Sequence, residues 1–323
     1  MIGCKAAVVG CINSEMTRLG VVAPIHIHCI IHQQSLCSKV MRLESVVVPT
    51  INFIRSHGLN YRQFQQFLSE TEAEYGDVLY HTEVRWLSRG RVSRRFFELR
   101  EEIAVFLRGK GKPLKELADH DWVWELALPA DVSQHLNDLN VKLQGKGKLV
   151  SGILADVRAF EMKLSLFQNQ ARKSNFYHFP CCKIFAGETA TPFPTERLCE
   201  ILRELKREFE VRFADFTKHW SDICLFQNPF NAALSQVRDR YQIELADLPT
   251  DNDLKSAFAA NDLVTFYAGL ADSTFMNLKK PAATMITVFG SPYVCEQTFS
   301  RMKCIKSNLR SRMTDENLHN VLR

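Results

Sequence analysis

One glutamate near the C-terminus, Glu296, has neighbours that suit a carboxylate to chemistry. It lies in the run Ser291-Pro-Tyr-Val-Cys-Glu296-Gln-Thr-Phe299-Ser300, ahead of a basic stretch from Arg301 to Arg312. Ser291 is a favourable N-cap and Pro292 suits the first helical position, so the run predicts a helix with Glu296 about one turn inside it. A lone helical glutamate is more often a solvated surface charge. Glu296 is therefore a candidate metal ligand only if its neighbours support that role.

Two basic stretches suit contact with nucleic-acid phosphates. Residues 81–112 hold nine Lys or Arg against four Asp or Glu, and residues 301–323 hold six against two. Either stretch alone is typical of a solvated face. The net charge of +5 over 323 residues permits nucleic-acid binding without arguing for it.

Four blocks, in the same order along the chain, resemble hAT-superfamily transposases. Glu296-Gln-Thr-Phe299-Ser300, with the segment from Asn308 to Leu318, resembles the C-terminal block of that family. His28-Cys29-Ile-Ile-His32 resembles its Cys-x-x-His element, and His81-Thr-Glu-Val-Arg85-Trp86 its Arg-Trp block. Met1-Ile-Gly-Cys-Lys-Ala resembles the family segment immediately C-terminal to the Thr-Asp-Gly tract. The likeness extends to domesticated, transposon-derived proteins of the general transcription factor II-I repeat domain-containing, BED-finger and FAM200 type.

The resemblance implies a mostly α fold with a small α/β remnant, a partial RNase H-like core interrupted by a large all-helical insertion. In that plan residues 1–40 form part of the core as a helix plus a strand. Residues 41–281 form the insertion, and residues 282–323 supply the last core helix and the dimerisation block.

The resemblance also bears on catalysis. hAT transposases hold two divalent metals with two Asp and one Glu. By this likeness both Asp residues would precede Met1, and Glu296 matches the Glu. One carboxylate cannot position two metals, so we expect an N-terminally truncated, catalytically inactive protein without a cofactor. Two alternatives stay open, a transposase or nuclease that borrows its Asp residues from a partner, and a pseudogene-like product with no selected role.

With the resemblance, the two basic stretches predict a remnant DNA surface of weak affinity. Trp86 resembles the family Trp that stacks at the transposon end, although a core role is equally compatible with its position. The candidate residues are Arg85, Trp86, Arg89, Arg91, Arg94, Arg95, Lys303, Lys306, Arg310 and Arg312.

The C-terminal block predicts self-association. Its apolar residues would lack the cover of complete core strands, and an uncovered apolar patch tends to find a partner. We expect a homodimer, or a heterodimer with hAT-derived relatives, in the nucleus by resemblance and otherwise in the cytoplasm. The candidate dimerisation residues are Phe289, Val294, Phe299, Leu318 and Leu322.

Other chemistry is not favoured. Cys29 and His32 are zinc-type ligands, but no second pair stands at a familiar spacing, so we expect a structural role and no metal. Ten cysteines in 323 residues are too sparse for a disulfide scaffold and indicate a reducing compartment. No run of about 18 apolar residues is present, so we expect no membrane span. Because the catalytic set is missing, we also expect no small-molecule substrate.

Periodicity predicts mainly helices. We expect helices over 3–19, 34–57 with a kink or break at Pro49, 60–75, 90–108, 114–175 with a break near Pro129, and 198–216, and two short ones within 252–280. Asp131 or Ser133 would cap the helix after that break. The β-branched stretches 25–31 and 283–289 predict strands. The tracts 179–182 and 191–195 predict loops.

Overall fold

The computed structural model describes residues 8–20, 29–41, 44–55, 58–71, 87–145, 147–217, 220–288, 293–305, 314 and 316–317. All regular secondary structure within these ranges is helical, which confirms the mostly α class. The helices are α1 Val8–Arg18, α2 Ile30–Cys37, α3 Glu44–Arg55, α4 Gly58–Glu70, α5 Leu87–Glu98, α6 Arg100–Gly109, α7 His120–Leu143, α8 Val150–Arg172, α9 Pro180–Glu188, α10 Thr195–Thr217, α11 Trp220–Gln227, α12 Asp239–Asp247, α13 Asn252–Ala260, α14 Leu263–Gly269, α15 Asp272–Thr287 and α16 Tyr293–Ile305.

Helix α7 lies at the centre of the fold. Residues 126–132 are all buried, and a helix that is apolar on every side must be surrounded by other elements. Helices α2, α5, α8 and α9 pack around it. Of these, α5 packs most extensively on α7.

The packing of α5 on α7 depends on Gly90. A Cβ atom at this position would lie 2.7 Å from the Ser133 carbonyl oxygen and 2.9 Å from its carbon. Both are backbone atoms, which cannot rotate away as a side chain can. The missing side chain of Gly90 therefore lets the two helices approach closely, and Val92, Phe96 and Phe97 are buried beyond it.

Pro129 does not break the helix as predicted from the sequence. Helix α7 runs from His120 through Pro129 to Leu143. The predicted cap, Asp131, lies in the middle of α7, and its side chain caps helix α9. Its carboxylate accepts hydrogen bonds from the backbone N–H groups of Cys181 and Cys182, at 3.0 and 3.1 Å. The burial of residues 126–132 compensates for the hydrogen bond that Pro129 cannot donate.

The same pair of hydrogen bonds explains why the loop predicted over 179–182 is wrong. Helix α9 starts at Pro180, which occupies a first-turn position where its lack of an N–H costs nothing. The next two N–H groups have no helical partner of their own, and Asp131 supplies one. The thiols of Cys181 and Cys182 are both buried. The tract at 191–194, by contrast, lies outside any helix, as predicted.

Helix α10 confirms the amphipathic helix predicted over 198–216. The apolar residues that predicted it are all buried, and the helix packs along α8. Phe209 stacks on Phe213 with ring centroids 5.5 Å apart and meets Phe160 of α8 at 5.2 Å. This pair of helices forms one wall of the core.

The predicted strand over 25–31 is wrong in the part that the structure describes. Residues 25–28 lie outside the described ranges, but Ile30 and Ile31 begin helix α2. Ile30 is fully buried, and Gln34 on the next turn donates to the Leu136 carbonyl of α7 at 3.2 Å. Packing on α7 thus sets the conformation. By these contacts α2 belongs with the helical bundle, while the RNase H-like core assigned to 1–40 stays a prediction.

The predicted strand over 283–289 is also wrong where the structure describes it. Residues up to Thr287 continue helix α15, whereas Phe289 lies outside the described ranges. Leu278, Ala282 and Met285 are buried at a helical spacing of four and three. A β-branched run too short to decide between strand and helix therefore continues the period of the residues before it.

Helix α15 is interrupted at Phe275, whose φ and ψ are −120° and 30°. The buried Glu244 of α12 caps the segment C-terminal to this interruption. Its carboxylate accepts the backbone N–H groups of Asn277 and Leu278 at 2.9 and 2.8 Å. Residues 252–287 thus form three helices, α13, α14 and α15, where two were expected up to residue 280.

The remaining boundaries show where periodicity succeeds and fails. Helix α1, predicted over 3–19, ends at Arg18, and Gly20 just beyond it lies in the left-handed region with φ +65°, a common conformation for a glycine after a helix. The helix predicted over 34–57 is interrupted by a 3₁₀ turn at Ser38–Met41, and Pro49 lies inside α3. The helix predicted over 90–108 divides at Leu99, and α4 ends earlier than expected, at Glu70.

Gly90→Ala should destabilise the protein by roughly 1 to 3 kcal/mol, because the added methyl forces the backbones of α5 and α7 apart. Gly152→Ala is the matched control. Gly152 is also helical, and its Cβ would meet nothing within 4 Å, so the change should be neutral or stabilising by up to about 1 kcal/mol. Denaturant unfolding followed by circular dichroism measures both. Equal effects would contradict the close approach of the two helices.

Asp131→Ala should lower the free energy of unfolding by roughly 2 to 4 kcal/mol, because it leaves two buried N–H groups without an acceptor. Asp131→Asn retains one acceptor oxygen and should cost less. Burial outweighs the two hydrogen bonds and raises the pKa of Asp131 above 3.8. The folded state therefore takes up this proton more readily than the unfolded state, and stability relative to Asp131→Asn should rise as the pH falls towards 3.8. A pH-independent difference would contradict this.

Candidate nucleic-acid interface

Helix α5 places its basic residues on the side away from α7. Val92, Ser93, Phe96 and Phe97 are buried towards the core. Arg91 and Arg94 are exposed, and Arg95 is half-buried beside them. Because residues three and four apart share a helix face, Arg91, Arg94 and Arg95 form one basic ridge. The structure thus brings together three residues of the predicted DNA surface.

Part of this charge is balanced within the helix. The Arg94 Nε lies 2.8 Å from a Glu98 carboxylate oxygen, and the Arg95 Nε lies 3.9 Å from the other. The Arg94 side chain is still 45% exposed. The Arg95 and Glu98 side chains are only 23% and 14% exposed, so Arg91 and Arg94 are the ridge residues most open to a phosphate.

Other basic residues within 81–112 make contacts inside the protein. Arg100 pairs with Glu188 of α9 and lies 4.4 Å over the Phe97 ring. Lys112 lies 4.4 Å over the Phe53 ring, and Lys110 donates to Gln63. The nine bases counted in residues 81–112 therefore overstate the charge presented to a ligand.

Several predicted surface residues cannot be compared with the structure. Arg85, Trp86, Lys306, Arg310 and Arg312 lie outside the described residues. Arg89 lies on α5 and Lys303 on α16, with only their backbone described. The joining of the two basic stretches into one surface stays a prediction.

Helix α16 confirms the helix predicted around Glu296, since it runs from Tyr293 to Ile305. Glu296 and Val294 lie on it, and only their backbone is described. Phe299 is 60% exposed, as are other large apolar side chains of the described residues such as Tyr177 at 80% and Ile243 at 78%. The other predicted dimerisation residues, Phe289, Leu318 and Leu322, lie outside the described residues.

Cys29 and His32 are linked by a hydrogen bond between the Cys29 side chain and the His32 backbone. Cys29 is the N-cap of α2, and its Sγ accepts the His32 N–H at 3.4 Å. The His32 side chain is exposed. Among the described residues, no three His, Cys, Asp or Glu side chains lie close enough to hold a metal ion. Burial raises the pKa of the nearby Cys37 thiol to about 12, which keeps it protonated at neutral pH.

Sequence reasoning missed a groove of about 420 Å³ between the start of α3, α7 and α10. Its floor is apolar and includes Val40, Met41, Val46, Trp122 and Ile201. We call it the acidic groove because three glutamates, Glu125, Glu200 and Glu204, line it against one arginine, Arg197. These residues come from distant parts of the chain, and no local motif marks them.

The three glutamates of the acidic groove differ in their ion pairs. Glu125 pairs with Arg197, and burial raises the pKa of Glu125 against the opposing effect of that arginine. Glu200 pairs with Arg203 one turn along α10. Glu204 is half-buried, and its carboxylate makes no ion pair or hydrogen bond with the residues that the structure describes.

Part of the bundle is similar to a known family of helical domains. Residues 28–172, which run from the N-terminal side of α2 to the end of α8, match the family of FAM200/GTF2IRD2 helical domains. Residues 28–172 are therefore similar to a FAM200/GTF2IRD2 helical domain. The matched region begins ahead of the domain boundary predicted at residue 40.

Two curated relatives extend this similarity over most of the chain. The chain is 38% identical over 297 residues to general transcription factor II-I repeat domain-containing protein 2 of Bos taurus, covering 91% of this chain and 31% of that protein. It is 36% identical over 283 residues to the Mus musculus protein of the same name, covering 87% and 30%. The chain thus spans less than a third of the length of these relatives. No solved structure matches it.

No helix among the described residues is both long enough and apolar enough to cross a membrane.

Proposed function

We propose that this chain is a non-catalytic, transposase-derived interaction module of a nuclear protein, which contacts DNA weakly through the basic ridge of α5. The observation that carries this proposal is the two-sided character of α5. One side is fixed on α7 through Gly90, and the other presents Arg91 and Arg94 to solvent. A rigid helix with exposed arginines is suited to phosphate contacts. The names of the two relatives, general transcription factor II-I repeat domain-containing protein 2, support a nuclear role.

The buried carboxylates of the bundle support a non-catalytic role. Asp131 and Glu244 are each almost fully buried, which is where a perturbed catalytic acid would be sought. Each instead accepts backbone N–H groups at the start of a helix segment. Their positions are accounted for by capping. Glu296, the carboxylate that the resemblance singles out, lies on α16.

Self-association is the second part of the proposal. The exposed Phe299 supports it, because a large apolar side chain in water is a common anchor of protein contacts. We propose that α16 joins two copies, or joins this chain to a relative of the same family. The heterodimer uses the same surface if the relative retains it.

Binding of the chain to a fluorescent DNA duplex should be weak, independent of sequence and steeply salt-dependent, because phosphate contacts release counterions. Changing Arg91, Arg94 and Arg95 together to Glu should abolish most of the affinity at low salt. The slope of log affinity against log salt should fall by about two to three, since each neutralised phosphate contributes about 0.9 to that slope. Fluorescence anisotropy at several salt concentrations measures both.

The control variant changes Arg172, Arg203 and Arg207 to Glu. These exposed arginines lie on α8 and α10, and the total charge changes equally. If this variant binds DNA as poorly as the ridge variant, the net charge and not the ridge of α5 binds DNA. The absence of any affinity for the wild type at low salt would refute DNA binding altogether.

Purified chain should not nick supercoiled DNA with Mg²⁺ or Mn²⁺, since a single carboxylate cannot hold the metal pair that strand cleavage needs. Conversion of plasmid to the relaxed form on an agarose gel is the measurement. Nicking that persists through purification and disappears in Glu296→Gln would contradict the non-catalytic proposal. Nicking that is unchanged in Glu296→Gln would indicate a contaminating nuclease.

A further inference from the structure

A pocket of about 330 Å³ lies between helices α11, α12 and α15 and shares no residue with the basic ridge or the acidic groove. We call it the α12 pocket, because the start of α12 lines one side of it. Its charged lining residues are Arg238, Arg240 and Lys280 against Asp222. Three bases against one acid leave the pocket a net charge of +2. A concave site of this charge is suited to a dianion.

Two of the three bases are held in place by the protein itself. The Arg238 guanidinium donates to an Asp222 carboxylate oxygen at 2.9 Å, and the Arg240 guanidinium lies 4.6 Å over the Tyr241 ring. Tyr241 is only 2% exposed, and its hydroxyl accepts a hydrogen bond from Arg240. Each guanidinium has five N–H donors, so these contacts position both arginines and leave donors for a ligand.

The third base and the start of α12 have donors to spare. The Lys280 ammonium makes no ion pair or hydrogen bond with the residues that the structure describes, whereas the neighbouring Lys279 pairs with Asp272. Arg238 is the N-cap of α12 and offers the first turn no side-chain acceptor. Asp239, the acid of that turn, does not line the pocket. An anion in the pocket would therefore lie beside the positive end of a helix as well as three bases.

We propose that the α12 pocket binds the phosphate group of a phosphorylated serine or threonine in a partner protein. Such a group carries a charge of about −1.5 to −2 and three acceptor oxygens, which matches the charge and the three bases of the pocket. Tyr241, Pro281 and Met285 add apolar surface on which the carbon atoms of the phosphorylated residue can pack. The inference concerns a separate surface and does not rest on the proposed function.

The concave shape favours this ligand over the backbone of a nucleic acid. A phosphate within a DNA strand is a diester that carries one negative charge and is attached to sugars on two sides. It is therefore presented along a convex, repeating surface, which an exposed helix ridge fits better than a pocket does. A phosphomonoester ends in its three free oxygens, so it can enter a single pocket end-on.

The test measures binding of the full chain to a blocked peptide in which phosphoserine is flanked by glycines, by isothermal titration calorimetry at constant ionic strength. The unphosphorylated peptide should not bind. Lys280→Gln should weaken binding roughly tenfold, because it removes a hydrogen bond to a charged group. It should not disturb folding, since its ammonium has no partner among the described residues. Arg240→Gln combined with Lys280→Gln should weaken binding further.

The control variant carries Arg207→Gln and Lys255→Gln. These exposed bases lie on α10 and α13 outside the pocket, and the change in net charge equals that of the double pocket variant. It should bind the phosphopeptide like the wild type. Circular dichroism checks that each variant is folded, and Lys280→Gln alone decides the test if the double pocket variant is not.

Three outcomes overturn the inference. The first is a wild type that does not bind the phosphopeptide, or that binds the unphosphorylated peptide equally well. The second is phosphopeptide binding that is the same in the folded pocket variants and in the control. The third is a double pocket variant that loses affinity for a DNA duplex while its phosphopeptide binding is unchanged, which would assign the pocket to nucleic acid.

Discussion

The fold depends on the burial of the middle of helix α7, where residues 126–132 are all buried. No single neighbour can do this, so α2, α5, α8 and α9 must each approach it closely. Gly90 permits the close approach of α5, at the backbone of Ser133. Trp124 fixes another side, where it packs among Phe176, Phe185 and Phe193 with ring centroids 4.9 to 5.6 Å away and donates to the Thr191 carbonyl. The irregular tract before α10 is held in place by that indole.

Two carboxylates extend this central packing outwards by capping helices to which they do not belong. Asp131 of α7 caps α9, and Glu244 of α12 caps the second part of α15. An unpaired carboxylate would be expensive at either position, since each is almost fully buried. The backbone N–H groups offset that cost and gain acceptors that their own helices cannot provide. Each cap therefore fixes the relative position of two helices.

The charged surfaces beside α5 and α10 are consequences of this scaffold. Helix α5 can present an arginine ridge because its other side is committed to α7. The acidic groove exists because the 3₁₀ turn before α3 holds Val40 and Met41 opposite Trp122 of α7 and Ile201 of α10. Charge is thus divided between the basic ridge of α5 and the acidic groove beside α10.

The sequence by itself determined the mostly helical class, the long helix α10 and the helix around Glu296, because these depend on local periodicity and capping. It also named Arg91, Arg94 and Arg95 as candidate surface bases within a predicted helix, and the structure shows that they share a face of α5. Only the tertiary structure decided that α7 continues through Pro129, that Asp131 caps α9, and that residues 283–287 are helical where a β-branched run predicted a strand. The physical reason is the same in each case. A short or interrupted segment takes the conformation that its buried neighbours allow, and those neighbours, like the walls of the acidic groove, come from distant positions in the chain.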